Sequence, residues 1–142
     1  MCQRVYIGTR RALTLVKRTE DEPFLAVKAL ETDYIGVRRY FGRKFDHFYV
    51  ALAHLPCGCG FPAQPLETCL MTRPIPENDR KSLARLRDYL RLGLGTRETA
   101  QLYFCWVGDE ETRPRNERTI SLIELDDPEF RFRRSEILTV RP

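Results

Sequence analysis

A chain of 142 residues with 42% apolar and 31% charged side chains has the make-up of one globular domain, and such a length buries roughly 68–70% of its unfolded surface without disulfides. No apolar run approaches the ~20 residues that span a bilayer, and the start Met1-Cys2-Gln3-Arg4-Val5-Tyr6 lacks a signal-peptide layout, which predicts a cytoplasmic, reducing location. The net charge of +4 is uneven: residues 1–60 carry ten basic and six acidic groups, residues 61–142 fourteen of each.

Val5-Tyr6-Ile7 reads as a short strand closed by Gly8-Thr9, and Ala12 to Val16 as a second one. Thr19 to Pro23 is a loop by composition. Phe24 to Leu30 is strand-like, with Leu25, Val27 and Ala29 on one face. Asp33 to Phe41 fits either an extended run or one short helix, and Gly42 ends it.

His47 to Leu55 alternates Phe48, Val50, Leu52 and His54 against His47, Tyr49, Ala51 and Ala53. Apolar groups on both sides predict an interior strand, stopped by Pro56. A long irregular loop is expected over 56–76.

A helix follows over about 78–93. Asn78 or Asp79 is placed to cap it, Leu83, Leu86 and Leu90 form its apolar stripe, and Gly93 and Gly95 supply the exit. Ala100 to Val107 is another strand with two apolar faces. Thr119 to Leu125 reads as a strand stopped by Asp126-Asp127-Pro128. Phe130 and Phe132 alternate with Arg131 and Arg133 as in a strand with one wet face, and Ile137 to Val140 closes the chain.

With no repeat and no regular β-α-β alternation, these elements predict a single α+β domain over 1–142. Its sheet would be mostly antiparallel, with five to seven strands and one long amphipathic helix. Neither strand order nor oligomeric state is legible.

The chemistry concentrates between His47 and Phe61. Cys57-Gly58-Cys59-Gly60 places two thiols just past a strand end, and the glycines allow a tight turn that brings amide donors toward sulfur. A C-x-C pair is tighter than the spacing usual in zinc sites. Three readings therefore stand: a soft-metal site of zinc type, a reactive thiolate, or a structural turn whose small thiols pack. His54, three residues before Cys57, is a candidate ligand or base. His47 points the other way.

Five cysteines, an odd number, argue against a disulfide framework in a reducing compartment. Cys105 ends a strand beside Asp109, Glu110 and Glu111, where it either joins a common pocket or fills the core. Nothing marks Cys69. Cys2 becomes an N-terminal residue if Met1 is removed, pairing a thiol with an amine as nucleophile and base, so it is the candidate catalytic residue.

Class II glutamine amidotransferases and the abasic-site DNA-crosslinking proteins share such a start. They are similar at Cys2 alone, since both place Gly third where this chain has Gln3, and both are longer. Met1-Cys2 with Val5-Tyr6-Ile7, the aromatic strand entering Cys57-Gly58-Cys59-Gly60-Phe61, and Cys105-Trp106-Val107-Gly108-Asp109-Glu110 together resemble a family of short uncharacterised bacterial proteins. That resemblance implies that Cys2, Cys57, Cys59 and Cys105 belong to one constellation.

The first expectation is thus a metal or thiolate site built from Cys2, Cys57, Cys59, Cys105 and His54. A non-enzymatic interaction module is the contrasting one. It would use the Pro-rich loop or the basic N-terminal half, with Arg10-Arg11, Lys17-Arg18, Arg38-Arg39 and Arg43-Lys44 meeting an anionic partner. No nucleic-acid fingerprint accompanies that charge, and 20 of the 24 basic residues are Arg, as a merely solvated surface would also show. An N-terminal-cysteine enzyme is the third. No P-loop, dinucleotide, G-x-S-x-G or H-E-x-x-H motif is present.

Overall fold

The apolar run at the start of the chain becomes the middle of the molecule. In the computed structural model, which describes residues 2–65 and 73–142, strand β1 (Gln3–Thr9) is paired antiparallel on both sides, with β3 (His47–Leu52) and β4 (Ala100–Trp106). The short β2 (Ala26–Ala29) adds outside β3. On the other flank β6 (Glu136–Arg141) pairs antiparallel with β4, and β5 (Asn116–Ser121) pairs parallel with β6. The order is β2-β3-β1-β4-β6-β5, a mixed but mostly antiparallel six-stranded sheet.

Both faces are covered, as the two-sided apolar pattern of β1 and β4 requires. Helix α1 (Glu77–Leu94, 18 residues) lays Leu83, Leu86, Leu90 and Leu94 on Val5, Ile7, Leu102, Phe104, Leu138 and Val140. The opposite face, with Tyr6, Val50, Tyr103, Cys105 and Ile137, is closed by Val37, Phe41 and Phe45. Val37 lies on a 3-10 helix over Thr32–Tyr40, which resolves the segment left open between helix and extended run. Gly8 lets that cover approach: a Cβ there would stand 2.5 Å from Phe41 Cδ1.

Several expectations are corrected. Ala12 to Val16 is not a strand; only Val16 bridges, to Val27. Leu13 instead drops into the helix-side core, its amide donating to Tyr49 Oη at 2.7 Å, while Tyr89 Oη donates to the Thr14 carbonyl. The strand expected over Thr119 to Leu125 begins earlier and stops at Ser121. There Glu124 accepts from the Ser121 amide at 2.6 Å and opens a 3-10 turn over Leu122–Asp126.

Phe130 to Arg133 forms no strand. Phe132 is fully buried, stacked on Phe104 at 5.0 Å, and among the described residues bridges only to Ala63. Neither Asn78 nor Asp79 caps α1: Pro76, extended at ψ 146, occupies the cap position without a side-chain bond, and the helix begins at Glu77, one residue before Asn78. Gly95, at φ 64, ends it. Cys69 and the middle of the 56–76 loop lie outside the described residues.

The parallel β5–β6 edge depends on one buried ion pair. Glu136, wholly buried, accepts from Arg118 Nε at 2.8 Å and Nη2 at 3.2 Å, and its second oxygen also takes the Arg133 amide at 2.9 Å. Removing one member strands the other charge in the interior, whereas replacing both with apolar groups does not. Arg118→Ala is therefore expected to cost about 3–5 kcal/mol in urea unfolding, and Arg118→Met with Glu136→Leu to recover most of it. Equal losses in the single and double variants would contradict this account.

Candidate metal centre

Past the end of β3 the chain doubles back at once. The Ala53 amide donates to the Cys57 carbonyl at 3.0 Å, and Arg18 donates to the carbonyls of Ala53 and Leu55, fixing the turn from outside. Cys57 is extended and a 3-10 turn follows over Gly58–Gly60. Within it the Cys59 amide donates to Cys57 Sγ at 3.4 Å.

The two glycines are what let this turn sit where it does. A Cβ on Gly58 would lie 2.8 Å from the Gln3 carbonyl oxygen and 3.0 Å from Arg4 Cα, so the turn rests directly on the first backbone units of β1. A Cβ on Gly60 would lie 2.6 Å from two atoms of the His54 ring. This contact delivers Cys59 to β1, where Cys59 Sγ accepts from the Gln3 amide at 3.1 Å.

Cys2 stands next to Gln3, its carbonyl accepting from the Val107 amide at 2.8 Å. One sulfur from the start of β1 and two from the turn therefore converge: Sγ of Cys2, Cys57 and Cys59 all lie within 4.8 Å of one another. Cys2 is the exposed member, and the other two are half-buried. Zinc–sulfur bonds of ~2.3 Å in a tetrahedron put sulfurs about 3.8 Å apart, so a contraction of about 1 Å at most would bring the three onto one ion.

The fold holds the Cys59 thiol in its protonated form. Burial is the main force that lifts the Cys59 thiol from its ordinary 9.0 to about 11, and the neighbouring sulfurs of Cys57 and Cys2 push it the same way against the Gln3 amide. A metal ion reverses this balance, because a coordinated thiol gives up its proton outright.

The remaining candidates are elsewhere. Cys105 lies opposite Arg4 in the β1–β4 register and is sealed in the second core with Tyr6 and Tyr103. Burial, then the charges of Glu110 and Asp109, drive its thiol up to about 12. It is not one of the three grouped sulfurs. His54 is not one either, because both ring nitrogens face the helix: Nδ1 is 3.1 Å from Ser82 Oγ and Nε2 3.7 Å from Asp79 Oδ1.

A Ser, a His and an Asp thus meet, but not as a catalytic triad. Ser82 is fully buried and its hydroxyl also takes the His54 backbone amide at 3.0 Å. The trio pins the first turns of α1 to the segment before the cysteine turn. Asp79 was legible only as a cap candidate and Ser82 not at all, because nothing in the sequence marked His54 as their partner. Arg38 and Arg39 of the basic half are exposed, with Arg38 over the Phe48 ring at 4.7 Å.

No helix among the described residues is long and apolar enough to cross a membrane. Comparison with protein-family models, curated proteins and solved structures gives no match.

A thiol whose folded value is raised has a definite pH signature. The unfolded chain loses its proton first, so folding weakens as pH climbs from 9.0 through about 11. Chelator-treated protein is expected to lose melting temperature faster across that window than Cys59→Ser does. Parallel curves for the two proteins would show that Cys59 is not held protonated by the fold.

Proposed function

We propose that this protein binds one thiophilic divalent cation, zinc being the best match, through the thiolates of Cys2, Cys57 and Cys59. The observation that carries this reading is the gathering of three sulfurs within 4.8 Å, contributed by two segments far apart in sequence. Soft thiolates select zinc-like ions over magnesium or calcium, and the nearby amide of Gln3 lowers the charge on Cys59 sulfur as outer hydrogen bonds do in metal sites.

The reactive-thiolate reading finds less support at Cys59, whose thiol at about 11 is protonated at neutral pH until a cation reaches it. The bare structural-turn reading accounts for the glycines but not for the thiol of Cys2 reaching the same point. Cys105 and His54 play other parts here: one fills the core beneath Tyr103, the other ties the turn to α1.

The expected result is one equivalent of zinc per chain after purification without chelators, and a sulfur-to-metal charge-transfer band when Co²⁺ replaces it. Cys57→Ser and Cys59→Ser should each weaken the ion, in competition with a chromophoric chelator, by about 100-fold or more. That is the loss of one ligand's share of the roughly 10–16 kcal/mol that structural zinc sites supply. Cys105→Ala should leave the affinity where it was. Substoichiometric metal, with no charge-transfer band, would reject the proposal.

A further inference from the structure

Three protein thiolates occupy three corners of a tetrahedron, and sites that keep the fourth for water or substrate are the catalytic or ligand-binding kind. What surrounds Cys2 and Cys57 bears on that corner. Both border a cavity of about 280 Å³, whose other walls include Arg4, Lys28, Glu31 and the apolar Val50. That space admits an acetate-sized molecule with room for water beside it.

The charges around the cavity are ordered. Arg4 sits with its guanidinium carbon 4.1 Å from the Tyr34 ring centroid, so it is held by stacking and is not a loose surface group. Lys28 comes from the edge strand β2 and Glu31 from the residue just before the 3-10 helix. Two cations thus face one carboxylate, while a divalent ion with three thiolates carries one net negative charge. An anion approaching such an ion needs outside cations to offset that charge, and Arg4 and Lys28 are in the right cavity to do so. A monoanion meets less repulsion from the thiolates than a phosphate dianion does.

We propose that the cavity binds a small carboxylate, one oxygen completing the coordination of the metal and the remaining charge met by Arg4 and Lys28. This rests on the metal reading above. Arg4 supplies the planar, two-pronged donor that carboxylates match, and Lys28 a mobile point charge from the exposed side.

The test uses the Co²⁺-loaded full chain at constant ionic strength, titrated with sodium acetate, with inorganic phosphate as the second arm. Acetate is expected to shift the ligand-field bands saturably. Arg4→Gln and Lys28→Gln should each raise the acetate concentration needed by about tenfold. Co²⁺ uptake, read in the same cuvette from the charge-transfer band, separates loss of metal from loss of anion.

Lys28→Gln, on an exposed edge position, keeps the test valid should Arg4→Gln not fold. Bands that form normally but ignore acetate would overturn the carboxylate site while leaving the metal reading standing. So would bands that respond to phosphate alone, or acetate binding untouched in both variants. Absence of the charge-transfer band in the unaltered protein would remove the metal reading and this inference with it.

Discussion

The contact of the Gly58 turn with the backbone of Gln3 and Arg4 is the constraint on which the candidate site depends. No side chain intervenes at Gly58, so the chain leaving β3 lies against the start of β1 at van der Waals distance. Antiparallel pairing of β1 with β3 already brings the end of one strand beside the beginning of the other. The glycine turn converts that neighbourhood into contact between sulfurs. Arg18 outside and His54 inside hold the same turn from two sides, one by its carbonyls and the other through Ser82 on the helix.

The same register explains why the cysteines part company. Cys105 is opposite Arg4, two residues along β1 from Cys2, which is roughly 6–7 Å at strand rise. That offset is enough to move a thiol from the open end of the sheet into its sealed middle, under Tyr6 and Tyr103. There burial and nearby acids keep it neutral, a small apolar filler. The trio at the end has neighbours, access and a partly charged cavity. Position along the strand decides which sulfurs have chemistry.

Much of this was legible from residues. Alternating apolar faces in His47 to Leu55 and Ala100 to Val107 announced interior strands, which end at Leu52 and Trp106, and leucines at helical spacing announced α1, because burial on a regular element leaves a periodic trace. The pairing of two Gly-flanked thiols at a strand end pointed to the turn. Where reading failed, the deciding interaction was long-range or local chemistry outweighed periodicity. Leu13 looked like a strand residue, but its amide donates to a tyrosine hydroxyl 36 positions away. Ser121-x-x-Glu124 carried a turn signal inside an apolar run, and the turn prevailed. Cys105 was left open between the common pocket and the core because a one-dimensional string does not give the register that separates it from Cys2. Arg4 and Lys28 could not be singled out among many cations until strand order placed both beside Cys57.

The place of β1 also bears on how the chain is made. The strand at the centre of the sheet is translated before both of its partners, and the second of them, β4, follows roughly ninety residues later, which at about 5–20 residues per second is roughly 5–20 s of synthesis. During that interval Val5-Tyr6-Ile7 has at most one edge satisfied, on the side of β3. A nascent chain of this design therefore leaves the ribosome with its most adhesive segment waiting, and its yield in a crowded cell should depend on whatever shields that edge until β4 arrives.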